Sequence, residues 1–274
     1  MKILHPTDFS RAAEKARVLA IDLTARLSGT LHLTHVQERF HEQTVNPYTL
    51  SGGEQLRHEV LERMRELQEL ETRHLRERLA NLSPDGATWE LRWGKTIPEL
   101  LDMASDHDLI VMGAHGNNPL DNYFLGGIAG RLVRRSCVPV LTVRETSEIL
   151  RVGRLLLATD FGYPSQHAWK WCQAWREAGI EINVVHILSD ASSKTDTALR
   201  RLEEFVDKVS VRQMVRNGDL ATRLPEIAQE VAADVIVVGV QRRRSALGLL
   251  LGSRADALIR SSHIPILAIP YDDK

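Results

Sequence analysis

The feature that most restricts what this chain can fold into is that one stretch of it occurs twice. The segment DLIVMGAHGNNPLDNYFLGGIAGRLVRRSCVPVLTVR, starting at Asp108, aligns without a gap on DVIVVGVQRRRSALGLLLGSRADALIRSSHIPILAIP, starting at Asp234. Asp108, Gly113, Gly126, Ala129, Leu132, Arg134, Ser136 and Pro139 fall on Asp234, Gly239, Gly252, Ala255, Leu258, Arg260, Ser262 and Pro265. The beginnings match as well. KILHPTDFS from Lys2 sets Asp8 on Asp160 of RLLLATDFG, and LHLTHV from Leu31 sets His35 on His186 of INVVHI. Self-similarity on this scale means one structural unit built twice. The 274 residues divide into domains at 1–147 and 151–274, across a short polar link near Glu145 to Val152. Each domain is long enough to bury its own core. The first is longer by an insertion at roughly 38–83.

Within each unit, strands alternate with helices. The first strand is Lys2 to Pro6. A helix follows from Ser10, a good N-cap, to Leu27, with Ala13, Ala16, Ala20, Leu23 and Leu27 at three- and four-residue steps. Gly29 is expected to stop it as a C-cap glycine. Its copy runs from Ser165 to Ala178, with Gly179 as the stop. Further strands are Leu31–Val36, Thr88–Trp93, Leu109–Met112 and Pro139–Val143. The fourth is continuously apolar, as a strand covered on both faces should be. The expectation is an α/β fold of two tandem domains, each a five-stranded parallel sheet with helices on both faces. The last strands, Pro139 to Arg144 and Pro265 to Pro270, are expected to pair the two halves. In the insertion, Glu54–Leu82 reads as one amphipathic helix with Leu56, Val60, Met64, Leu67 and Leu70 at helical spacing. It is read first as cover for a sheet face and second as a partner or homodimer surface.

Composition excludes several classes. A net charge of −1 gives no general attraction to nucleic acid or anionic membrane. No stretch approaches the roughly 20 apolar residues of a membrane helix, and MKILHPTDFS, with a charge at Asp8 and no long apolar run, is not expected to act as a signal peptide. Two cysteines, Cys137 and Cys172, form no framework and suit a reducing compartment. A cytoplasmic protein is expected. Its 11 histidines show no ligand spacing, so no metal site is expected. Gly94-Lys95-Thr96 lacks the earlier glycine of a phosphate-binding loop, because Trp89 stands there. No nucleophile–base set has supporting context, so no catalytic residue is assigned.

Ligands of such sheets sit beyond the carboxyl ends of the strands, where strand order reverses. There the first half reads Gly113-Ala-His-Gly116, nine residues, then Gly126-Gly127 and a helix. Glycines let backbone N–H groups approach a phosphate, and a helix start favours an anion. Asp8, at the end of strand one, can accept hydrogen bonds from ribose hydroxyls. Together these lead to the expectation of an adenine-nucleotide site.

The pattern Gly-x2-Gly-x9-Gly-Ser/Thr, with the Asp after strand one and an apolar residue after strand two, resembles the universal stress protein family. The resemblance covers nearly the whole chain, twice. It implies a Rossmann-like, adenine-nucleotide alpha hydrolase-like fold paired through the last strand, and in one subgroup ATP binding. It maps the first site onto Asp8, Val36, Met112, Gly113, Gly116, Gly126 and Gly127. It maps the second onto Asp160, Ile187, Val238, Gly239, Gly252 and Ser253, with Arg242 beside them. Both depart from the pattern. Gly127 stands where the family has Ser or Thr, which removes a hydroxyl. Arg242 stands where the family has its second glycine, and either crowds a phosphate or offers it a guanidinium fork. The implied function is stress signalling through partners, with ATP, alone or with Mg, bound in at least one half. Alternatives are a scaffold with degenerate pockets, a binder of another small ligand suited to the apolar Leu247–Leu251 loop, and a slow ATPase.

Overall fold

A computed structural model describes residues 1–38, 53–116, 127–188, 195–207, 209, 211–245, 248–250 and 253–272, and, within these, the side chains outside 53–57, 243–250, 253–254 and 256. The first half runs β1 (Lys2–Pro6), α1 (Arg11–Arg26), β2 (Thr30–Gln37), α2 (Gly53–Leu82), β3 (Thr88–Trp93), α3 (Thr96–Ala104), β4 (Leu109–Gly113), α4 (Gly127–Arg135), β5 (Val140–Val143). The second runs β6 (Arg154–Ala158), α5 (Tyr163–Glu177), β7 (Glu181–Leu188), α6 (Thr195–Phe205), β8 (Arg212–Asn217), α7 (Leu220–Glu230), β9 (Val235–Gln241), β10 (Arg243–Ser245), β11 (Gly248–Leu250), α8 (Ser253–Ser261), β12 (Ile266–Tyr271).

Ten strands form one sheet in the order β3-β2-β1-β4-β5-β12-β9-β6-β7-β8. Within each half all pairs of this sheet are parallel. The halves meet through an antiparallel pair that sets Thr142 opposite Ile266, Leu141 opposite Leu267 and Val140 opposite Ala268. The last strands do join the halves. In each half the order reverses between the first and fourth strands, β1/β4 and β6/β9. Those carboxyl ends open the crevice in which ligands of such sheets sit.

Alternation along the strands sends Leu4, Ile110 and Met112 to one face and Ile3, Leu109 and Val111 to the other. Each face holds a core drawn from both halves. Leu100, Leu132, Leu224 and Leu258 lie on the first face, and Leu19, Leu23, Leu155 and Trp175 on the second. Both faces are covered, which is why β4 reads as an unbroken apolar run.

Ser10 caps α1, its hydroxyl accepting from the Ala13 N–H at 3.2 Å. The stop of α1 differs from expectation. Ser28, not Gly29, takes the left-handed conformation, with φ 47°. Gly29 serves a close crossing instead, since a Cβ there would lie 2.3 Å from the Met1 carbonyl oxygen. Gly179 does act as expected, with φ 82° after α5. The 30-residue α2 packs on the β2–β3 edge through Leu75 and Leu79, which are buried. The stripe expected to face the sheet lies further toward its start, and Leu67 and Leu70 are more than half exposed, at 56% and 58%. The side chain of Leu56 lies outside the described set. Among the described residues, no helix is long and apolar enough to cross a membrane.

Candidate functional site

The turn after β1 is built around a backbone that few residues adopt. Phe9 has φ 61°, in the left-handed region, which costs a bulky residue of order 1–3 kcal/mol. Several contacts hold it there. The Phe9 N–H donates to the Thr7 hydroxyl at 3.0 Å, and the Ser10 N–H donates to Asp8 Oδ1 at 3.0 Å. His35 Nδ1, which must carry its proton, donates to the Thr7 carbonyl at 2.7 Å. The His35 ring lies 4.9 Å from the Phe9 ring, and the Arg78 guanidinium sits 3.8 Å over that ring. The second half repeats the device with Thr159, Asp160, Phe161 (φ 65°), His186 and Arg201. Both histidines are thus bonded parts of the turn. The sequence reading assigned no role to the phenylalanines. The signal was present, since Thr-Asp-Phe occurs at the same place in both halves.

This turn presents Asp8 at the rim, exposed, with Oδ2 free of the turn's own bonds. Across from it, a Cβ on Gly116 would stand 2.9 Å from Asp8 Oδ2, so only glycine leaves that gap open. Gly113 has a different task. A Cβ there would lie 2.8 Å from the Ala13 nitrogen, so its absence lets α1 cross the end of β4 closely. Gly239 is the same, 2.2 Å from the Pro164 carbonyl oxygen.

Asp8, Val36, Met112, Gly113, Gly116 and Gly127 line one cavity of about 360 Å³. Gly127 opens α4, and a Cβ there would meet nothing within 4 Å. His115, buried at 5% exposure, lines the same space. So do Thr96, Leu100, Ile128 and Arg131, which the sequence reading did not single out. Helical phase alone offers the last, because position 131 lies one turn beyond 127 on the same side. Gly126 lies outside the described residues.

In the second half, Asp160 is exposed at the matching rim, with Oδ1 accepting from Gly162 N–H and the Ser165 hydroxyl. Val238 and Gly239 lie in the last half of β9, and Ile187 lies near the end of β7. Gly252 lies outside the described residues. Ser253 opens α8, and its side chain is likewise outside them. Where the first half has its glycine loop, the second has a two-stranded hairpin, with Arg243 opposite Leu250 and Ser245 opposite Gly248. The fork of Arg242, offered by the sequence to a phosphate, is engaged elsewhere. It pairs with Asp272 and donates from one nitrogen to the Arg135 and Ser136 carbonyls, each at 3.1 Å. Those carbonyls end α4 of the other half. Arg144 returns the gesture, donating to the Ser262 carbonyl at 2.7 Å and to the Arg260 carbonyl at the end of α8. Burial lowers the Arg144 pKa from the usual guanidinium value. Each half therefore lends an arginine to the negative end of the other half's last helix.

Comparison with known proteins agrees with this architecture. The sequence profile of the universal stress protein family matches residues 1–144 and 196–270. Universal stress protein Rv2005c of Mycobacterium tuberculosis is 22% identical over 201 residues, 65% of this chain and 67% of that protein. Universal stress protein G of Escherichia coli O157:H7 is 32% identical over 84 residues, 31% of this chain and 57% of that protein. A solved universal stress protein from Archaeoglobus fulgidus DSM 4304 shares the fold, with TM-score 0.69, 20% identity and 98% of each chain covered. With its doubled five-strand units, antiparallel joining pair and profile match over most of its length, the chain belongs to the universal stress protein family.

Proposed function

We propose that the chain binds an adenine nucleotide, ATP, in its first half, and acts in a stress response by offering partners a surface that depends on occupancy. One observation carries this reading. Six residues named from sequence, on elements far apart in the chain, line a single cavity of about 360 Å³. That volume lies in the ordinary range for small-molecule pockets, roughly 300–1,000 Å³. Asp8 gives one wall an exposed carboxylate suited to ribose hydroxyls. Gly127 brings free helix N–H groups to another, suited to phosphate. Apolar Val36, Met112 and Leu100 suit the base. The domains would divide at 1–147 and 151–274, and the cytoplasm would supply ATP.

A second reading concerns the other half. Arg242 is spent on joining the halves, which favours a second unit that acts as scaffold rather than as nucleotide site. The test is to denature freshly purified protein and measure the mass and ultraviolet spectrum of what it releases. About one adenine nucleotide per chain is expected, lost in Gly116→Arg, which fills the gap facing Asp8. Release of nothing absorbing near 260 nm, with no thermal shift on adding ATP, would remove the nucleotide reading for both halves.

A further inference from the structure

Arg131 is the cation in the first-half cavity that no motif assigns. It lies on α4 four residues after Gly127 and lines the same space as Asp8, Gly116 and Gly127. Side chains on a helix lean toward its N-terminus, so a residue four places on covers the turn at 127. That is the spot where Gly127 supplies no hydroxyl. Arg131 is exposed and, among the described residues, has neither a hydrogen bond nor an ion pair. Its neighbours on α4 are committed: Arg134 donates to the Gly130 carbonyl at 3.0 Å, and the end of α4 is held by Arg242. The gapless alignment of the halves puts Ala257 at the position of Arg131, so the second half has no counterpart.

We infer that Arg131 is the phosphate-recognising residue of the first-half site and makes that site selective for nucleoside di- and triphosphates over monophosphates. This rests on the nucleotide reading above. The cavity carries a carboxylate, Asp8, on its rim, so an anionic ligand needs a cation to offset it. A guanidinium binds phosphate oxygens bidentately, and such charge-assisted bonds are roughly twice as strong as neutral ones. Helix N–H groups at Gly127 orient one phosphate. The arginine, on its long stem, then takes the more distal oxygens. It thereby replaces the hydroxyl that the family pattern places at 127 with a longer-reaching and charged group.

The test is titration calorimetry of the full chain with ATP, ADP, AMP and adenosine, at two salt concentrations, for wild type, Arg131→Ala and Arg131→Lys. Alanine is a good helix former and no described bond is broken, so the fold is expected to hold. Wild type is expected to bind ATP at least tenfold more tightly than AMP. Arg131→Ala should bring ATP down to the AMP level, leave adenosine within about twofold, and flatten the salt dependence. Arg131→Lys should keep part of the preference, since it keeps the charge and loses the fork. Equal loss for adenosine and ATP would make Arg131 a cavity wall and overturn the inference. Unchanged ATP affinity in Arg131→Ala would overturn it while leaving the nucleotide reading intact. If wild type binds none of the four ligands, the nucleotide reading fails and this inference with it.

Discussion

Arg242→Gly restores the family's second glycine in the second half and also cuts the bond between the halves. Its two consequences point in opposite directions, which makes it a sharp perturbation. In the structure one nitrogen of Arg242 donates to two carbonyls at the end of α4, each at 3.1 Å, and the rest of the fork pairs with Asp272. The Asp272 side chain is 53% exposed, so water replaces its partner at little cost, while the Arg242 side chain is only 18% exposed. A hydrogen bond to a charged group is worth roughly 1.5–3 kcal/mol, and the two here share one donor nitrogen. The loss is therefore about 2–3 kcal/mol. At roughly 2–4 °C per kcal/mol for a chain of this size, the Tm should fall by about 4–12 °C. Differential scanning calorimetry of wild type, Arg242→Gly and Arg144→Ala reads this directly. Arg144→Ala should cost a similar amount, because it makes the reciprocal contacts. If Arg242→Gly keeps the wild-type Tm and gains a second equivalent of bound nucleotide, the arginine is not a clamp and the reasoning is wrong.

Gly127→Ser should tighten ATP binding by roughly ten- to a hundredfold, the equivalent of one charge-assisted bond, because a Cβ there meets nothing within 4 Å. Calorimetry with ATP measures it, and a weaker affinity with intact fold would count against a phosphate at that helix start. His5 is fully buried, its Nδ1 donating to the Val111 carbonyl, and burial lowers its pKa to about 4. The unfolded chain therefore takes up the proton first, near pH 6.5. The contribution of the neutral ring is full above that pH and is lost as pH falls toward 4, by about 3 kcal/mol in all. Urea unfolding at pH 7 and pH 4.5 should show a smaller acid loss for His5→Leu than for wild type; identical losses would remove His5 as a source of acid sensitivity. Native protein should give one fast-reacting thiol with a disulfide reagent, since Cys137 is exposed while Cys172 is buried and its pKa is raised by burial; two fast thiols would contradict the packing of α5.

Much of the fold was legible because its signals are local or repeated. The gapless repeat announced two like units, and the alternation of apolar runs with helical spacing gave their parallel sheets. The rim positions Asp8, Gly113 and Gly116 followed from where such strands end. The rest depends on contacts that no local pattern encodes. Gly29 and Ser28 differ because of where Met1 passes, a crossing set by β1 pairing with β2. The hairpin of β10 and β11 reads in sequence only as a basic run followed by leucines. Phe9 keeps its strained backbone because His35 and Arg78 arrive from two other elements. Arg242 lies 107 residues from the Arg135 carbonyl it caps, so its role appears only once β5 and β12 bring the halves together. Sequence determined which units form and which strand ends frame the first-half cavity. Tertiary structure decided which charged groups are spent on the fold, because that depends on every neighbour a folded arginine can reach.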